Sequence, residues 1–241
     1  MKISVVVPAF NEEQLLPESL KAINDASAAF VDAGWTSELI VCDNNSTDRT
    51  AVIAAAAGAR VVFEPINQIS RARNAGAAAA TGDWLLFIDA DSFPTRALFA
   101  DVVTAISDPR CVAGGSTVRI DLPGIGYDAA VGWWNFLSRR LKWAAGSFIF
   151  CEAAAFRELN GFTQKLYAAE EINLFRRLKR LARRRGRIIT ILSAHPLLTS
   201  DRKIHLYSLP EMLRFWIRTA LTGGRTLRNS KESFPWYDGR R

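Results

Sequence analysis

The chain has 241 residues, 49% of them apolar and 23% charged, and its 31 Lys and Arg against 24 Asp and Glu leave a net charge of +7. That balance excludes a disordered or fibrous chain and supplies enough apolar mass for one large α/β domain. No stretch approaches the ~20 uninterrupted apolar residues that a membrane-spanning helix needs.

Ile3–Val7 is a short apolar run stopped by Pro8, which reads as a strand. It lacks the small-residue cleavage site of a leader peptide, so a cytoplasmic setting is expected. A helix is expected from near Asn11 to about Ala33, then a strand over Glu38–Cys42. Ser46 or Thr47 suits the N-cap of the next helix. Arg60–Glu64 is the third strand, and Ser70 should cap an alanine-rich helix over Arg71–Ala80, closed by Gly82. Trp84–Ile88 is apolar throughout, as a buried strand should be, and Pro94-Thr95 opens a helix to about Ile106. Strand–helix alternation of this kind predicts an α/β fold with a mainly parallel central sheet and helices on both faces.

The second half is less regular. Cys111–Ile120 reads as a strand, Leu122–Gly126 as a loop, and Tyr127–Ala145 as an aromatic, basic segment holding Trp133, Trp134, Phe136 and Trp143. Ser147–Cys151 is a further strand and Asn160-Gly161-Phe162 a turn. Glu170–Arg185 is amphipathic, with Leu174, Phe175, Leu178 and Leu181 along one face. Its acidic start and basic end suit the helix dipole. Arg187–Leu192 is expected as the last core strand, before a partly helical, basic tail from Asp201. Cys42, Cys111 and Cys151 are far apart in apolar contexts, so they read as buried, reduced thiols.

Polar clusters gather where the strands end. The first strand runs into Pro8-Ala9-Phe10-Asn11-Glu12-Glu13 and the second into Asp43-Asn44-Asn45-Ser46-Thr47-Asp48. The third helix starts Ser70-Arg71-Ala72-Arg73-Asn74, and the fourth strand ends in Asp89-Ala90-Asp91. In an open α/β sheet these places lie on one rim, the rim that favours nucleotides and phosphates. Paired carboxylates there suit a hard divalent cation such as Mg²⁺ or Mn²⁺.

In their order and spacing these segments resemble the opening motifs of family 2 glycosyltransferases, as do Ala72–Gly76 and Thr81-Gly82-Asp83. Asn160-Gly161-Phe162 followed by Glu170-Glu171 is similar to that family's acceptor-side segment, and the likeness extends over roughly residues 3–202. The resemblance implies a GT-A fold, a nucleotide-sugar donor, a divalent metal and inversion at the anomeric carbon. It divides the chain into a glycosyltransferase domain over 1–200, with a nucleotide-binding half 1–92 and an acceptor half 93–200, and a basic extension over 201–241.

Roles then follow from what the reaction requires. Pro8, Ala9 and Phe10 would wall the base, while Glu12, Asp43 and Asn44 would hydrogen-bond base or ribose. Asn44 stands where the family often has a second Asp, and an amide both donates and accepts. Asp91 would bind the metal, with Asp89 assisting there or taking the ribose hydroxyls. Arg71 or Arg73 could reach the phosphates. Glu171 is the expected general base, with Glu170 as the alternative about 100° around the helix. The family's usual residue there is Asp, so Glu171 is a departure. Arg202 resembles a basic residue near the family's diphosphate site, and His195 and His205 are left unassigned.

The basic excess collects in the C-terminal half, at Arg139-Arg140, Arg176-Arg177, Lys179-Arg180 and Arg183-Arg184-Arg185. It reads either as solvated helix faces or as a surface for an anionic partner. With the tryptophans of Tyr127–Ala145 nearby, it reads either as an acceptor-facing or peripheral membrane surface or as a helix that packs its aromatics into the core. The acceptor is a hydroxyl, lipid-linked or polysaccharide among the possibilities. The alternative function is a catalytically silent nucleotide- or nucleic-acid-binding module; a pyrophosphorylase would need a glycine-rich loop after the first strand, which Pro8–Asn11 does not supply.

Overall fold

A computed structural model describes residues 1–120, 125–202, 206 and 209–233. Among the described residues, eight strands form one sheet in the order β3-β2-β1-β4-β7-β6-β8-β5. They are β1 (Lys2–Ala9), β2 (Thr36–Asp43), β3 (Arg60–Phe63), β4 (Trp84–Ile88), β5 (Ser92–Phe93), β6 (Cys111–Ile120), β7 (Phe148–Glu152) and β8 (Ile188–Thr199). The helices are α1 (Leu16–Ala26), α2 (Ala28–Asp32), α3 (Thr50–Ala56), α4 (Ile69–Ala79), α5 (Arg96–Ser107), α6 (Ile125–Leu141), α7 (Ala153–Glu158), α8 (Glu170–Arg184) and α9 (Leu209–Leu221).

The sheet is parallel where βαβ crossovers build it, across β3-β2-β1-β4. Beyond β4 it is mixed: β7 runs antiparallel to both β4 and β6, β8 is parallel to β6, and β5 is antiparallel to β8. Strand alternation splits the core between two faces. Ile3, Val5 and Val7 point towards α1, α2 and α5, while Val6 points with Leu85 and Phe87 towards α4, α7 and α8. The alanine-rich α4 lies close on β1: a Cβ on Gly76 would come within 2.5 Å of Val6 Cγ1. All three cysteines are free and buried, and burial pushes the Cys42 thiol up to about 12.

Several boundaries differ from expectation for local reasons. The first helix starts at Leu16, not near Asn11, because Asn11 takes a left-handed φ of 51° and Pro17 prefers a first turn. It also breaks at Ser27. The next helix starts at Thr50, whose backbone N–H and hydroxyl both donate to Asp48 Oδ1. The third starts at Ile69 after Gln68, which places Ser70 inside it rather than at its cap. Ile125 is already helical; residues 122–124 of the expected loop lie outside the described residues. The last core strand runs on to Thr199, because β5 pairs with its end. Leu174, Phe175, Leu178 and Leu181 are all buried under α8.

Candidate functional site

The Asp89-Ala90-Asp91 loop is clamped on both sides. Ile88 pairs with Phe148, and Asp89 N donates to Ser147 O at 3.2 Å, so the start of β7 fixes one flank. On the other, Ser92 pairs with Thr199 and Ser200 N donates to Asp91 O at 3.0 Å. The antiparallel insertion of β7 therefore delivers Gly146 and Ser147 beside the acids, and β8 delivers Thr199 and Ser200.

A cavity of about 260 Å³ opens at this point. Asp89, Asp91, Arg73, Glu170 and Glu171 all line it, so residues from three separate stretches of sequence converge there. Ile69, Ile120 and Tyr167 contribute its less polar wall.

Arg73 organises the acids. Its guanidinium is fully buried, donating from Nη1 to Glu170 Oε1 at 2.7 Å and from Nη2 to Asp89 Oδ1 at 2.8 Å and Gly146 O at 2.9 Å. The ring of Phe162 lies 5.3 Å from it. Of the two arginines expected near phosphate, Arg73 is thus on the cavity wall, whereas Arg71 turns its Nε to Gln68 Oε1 at 3.2 Å and is not.

Burial, reinforced by the Glu171 carboxylate, pushes Glu170 up to about 8 against the attraction of Arg73. One cation facing a group of acids leaves a carboxyl that gains by keeping its proton. Glu171, half-buried, presents its carboxyl carbon near Gly146, 3.7 Å from where a Cβ there would stand. Both acids sit in the first turn of α8, where the helix dipole favours negative charge. The residue before them, Ala169, holds a left-handed φ of 61°. A non-glycine residue in that region carries a strain cost, here held at the entry to α8.

The residues expected around a base form a second group, off the walls of that cavity. Pro8 and Ala9 pair with Cys42 and Asp43 in the β1–β2 ladder, and Phe10 follows, half-buried. Glu12 is buried and accepts both Arg202 Nη groups at 2.7 Å, while Arg202 Nη2 lies 3.6 Å from Asp91 Oδ2. Arg202 therefore links the two groups. Asp43 Oδ1 accepts from Ser46 N at 3.0 Å. Asn44 uses its amide on backbone, donating to Glu64 O at 3.1 Å and Ile66 O at 2.7 Å and accepting from Gln68 N at 2.9 Å. Those bonds shape the loop that leads into α4.

His195 lies away from the cavity walls, its Nδ1 2.9 Å from Asp101 Oδ2, and His205 falls outside the described residues. Tyr167, Gly146 and Ser147 carried no motif signal, and Thr199 and Ser200 entered only as the residues leading to Arg202, since the tertiary fold is what brings them to the site. Gln68 is another such residue: buried, it donates from Nε2 to Gln164 O at 2.9 Å and Leu166 O at 3.0 Å, which holds the segment before α8 in place.

Two carboxylates are the donor chemistry that a small hard dication would take. Asp89 and Asp91 supply carboxylate oxygens on one wall, and among the described residues no group of three or more His, Cys, Asp and Glu could hold a metal. A cation held by one or two carboxylates and completed by phosphate and water is the arrangement Mg²⁺ favours.

Comparison with known proteins gives three kinds of likeness. A family model described as "Glycosyl transferase family 2" matches residues 4–160. An uncharacterized glycosyltransferase of Mycobacterium tuberculosis is 45% identical over 89 residues, 37% of this chain and 36% of that protein. Glucosyl-3-phosphoglycerate synthase of the same organism is 38% identical over 105 residues, 40% of this chain and 31% of the synthase. The matches thus span about a third of these curated relatives' length. A crystal structure of that synthase with Mn²⁺, UDP and glucosyl-3-phosphoglycerate superposes with a TM-score of 0.62 at 24% identity, covering 92% of this chain and 79% of the other. Staphylococcus aureus TarS 1–349 gives 0.64 at 21%, covering 84% and 61%. The fold is that of GT-A glycosyltransferases.

Proposed function

The chain belongs to glycosyl transferase family 2, and from that premise we propose that it transfers a sugar from a nucleoside-diphosphate sugar to an acceptor hydroxyl with inversion. The observation that carries the reading is the convergence of Asp89, Asp91, Glu170 and Glu171 on one cavity of about 260 Å³. An aspartate pair for the leaving diphosphate and a glutamate for the attacking hydroxyl are what such a displacement needs on opposite sides of the sugar.

Asp91 and Asp89 would hold Mg²⁺ or Mn²⁺, which when bound neutralises charge on the departing diphosphate. The Mn²⁺ and UDP named for the synthase structure support that assignment. The chain's own residues do the rest. Pro8, Ala9, Phe10 and Asp43 shape the strand ends where a base and ribose would lie, and Asn44 keeps the adjoining loop in place. Arg202 holds Glu12 and stands near Asp91, ready to meet phosphate oxygens. Arg73 fixes Asp89 relative to Glu170.

Glu171 is the general base: half-buried, it lines the cavity where an acceptor would enter, whereas Glu170 is buried. Its carboxylate takes the acceptor's proton as that oxygen forms its bond to the anomeric carbon and the bond to the diphosphate breaks. Ile69, Ile120 and Tyr167 would give the sugar a less polar wall. The acceptor would be a hydroxyl, a lipid-linked or polysaccharide one among the classes that the same base would serve, and peripheral membrane contact belongs to the same reading.

Binding of nucleoside diphosphates with and without Mn²⁺, followed by sugar release from a panel of nucleotide sugars, tests this. Metal-dependent binding lost in Asp91→Ala is expected. A metal-free complex of equal strength in that variant would refute the role of Asp91, and no release from any donor would refute the transfer.

A further inference from the structure

We infer that the outer face of α6, together with the basic flank of α8 beside it, docks the protein on the surface of an anionic lipid bilayer. This names the surface and the lipid charge for the membrane contact in the reading above, on which it rests for its purpose but not for its test.

Trp133 is 62% exposed and Phe136 49%, and their rings stack with centroids 5.6 Å apart and planes 23° from parallel. Three apart on a helix, they form one ridge, and Arg140 continues it a turn later. Leu141, Arg139 and Lys142 are exposed around its end. Residues 129–143 contain no Asp or Glu. The ridge is not a core face left uncovered, because α6 already has its partner. Asn135 accepts from Val118 N at 3.0 Å and donates to Val118 O at 2.8 Å, and Ser138 is buried on the same inner side.

α8 extends the charge. Lys179 Nζ donates to Leu141 O at 2.6 Å, joining the two helices, while Arg176 and Lys179 lie over the Trp143 ring at 5.7 and 5.5 Å. Burial, and after it the charges of Arg183 and Arg176, hold the Lys179 ammonium below its ordinary pKa. Residues 172–187 also lack any acid.

Exposed tryptophan and phenylalanine interleaved with arginine and lysine match a bilayer interface, where the rings enter the headgroup boundary and the cations meet anionic lipid. Nucleic acid is the lesser fit, since the rings face each other and do not stand open to receive a base. The docking face also has a bearing on the site. α6 is bracketed in sequence by Ile120 and Gly146, both walls of the cavity.

The test is cosedimentation of the full chain with phosphatidylcholine vesicles, with and without phosphatidylglycerol, over a range of salt. No donor is present, so vesicle binding and sugar transfer succeed or fail separately. Binding to the anionic vesicles alone, weakening as salt rises, is expected. Trp133→Ser/Phe136→Ser and, separately, Arg139→Glu/Arg140→Glu should each weaken it at least roughly tenfold, with circular dichroism unchanged. No binding to anionic vesicles, or full binding by the Trp133→Ser/Phe136→Ser variant, would overturn the inference. So would tight binding of a single-stranded oligonucleotide that survives loss of the aromatic pair and disappears with the two arginines.

Discussion

Arg73 and Glu170 stand 97 residues apart in sequence and meet through a 2.7 Å hydrogen bond inside the protein, with Asp89 on the guanidinium's other arm at 2.8 Å. An arginine so placed is a fixed bridge between the strand that carries one acid and the helix that carries the others. Removing it leaves buried carboxyls facing each other. Arg73→Met is expected to cost roughly 3–5 kcal/mol, read by urea unfolding. Arg73→Lys should recover only part of that, because one ammonium cannot reproduce a guanidinium's fork. An unfolding midpoint unmoved by Arg73→Met would show that the bridge contributes nothing.

The Glu170 carboxyl gives a pH signature. Its folded pKa, about 8, lies above the unfolded 4.5, so its contribution to stability is complete below pH 4.5 and is lost as pH rises through 8. Glu170→Gln cannot ionise and should remove that decline. The measurement is the difference in unfolding free energy between mildly acidic and mildly alkaline buffer, in the native chain and the variant. An equal decline in both would mean that another group titrates.

Glu171 and Glu170 should separate in kinetics. Glu171→Gln is expected to lower the transfer rate by roughly 10²–10⁴ while leaving donor affinity nearly unchanged, as loss of a general base does. Glu170→Gln should retain far more of the rate. The reverse order would move the base one residue back along α8.

At the opposite end of the strands, Glu38 accepts from Ser4 Oγ at 2.5 Å, Thr81 N at 2.7 Å, Thr81 Oγ1 at 2.9 Å and Lys2 Nζ at 3.1 Å. Burial alone would raise this carboxyl, yet those donors hold it down to about 2. Its stabilisation is present above pH 4.5 and is lost as pH falls towards 2, amounting to roughly 3 kcal/mol at most. Glu38→Gln should flatten the acid limb of the stability curve, and a limb of unchanged steepness would count against the cluster.

Local signals carried the sequence reading well where a residue's neighbours in sequence decide its place. The apolar run Trp84–Ile88 reads directly as a buried strand, and Thr95 caps α5 by accepting from Leu98 N. The polar clusters at the ends of β1, β2 and β4 were legible because βαβ crossovers bring successive strand ends to one rim. What could not be read was pairing at long range. Nothing in Ser147–Cys151 says that this strand enters antiparallel between β4 and β6, and it is that insertion which carries Gly146 to Arg73. Arg71 and Arg73 look alike in sequence, yet two residues, about 200° around α4, decide that the second is buried among acids. Arg202 could be matched to a motif, but its pairing with Glu12 depends on where the chain returns after β8.

One backbone hydrogen bond ties the tail to the chemistry. Leu227 O, in the single 3₁₀ turn Arg225–Arg228, accepts from Tyr167 N at 2.7 Å, and Tyr167 lies on the cavity wall four residues before Glu171. The tail is thereby a splint for the loop that leads into Glu170 and Glu171. A protein trimmed just ahead of this turn would keep every strand and both aspartates, yet give up the tie that the turn adds to those of Gln68 on the segment leading into α8.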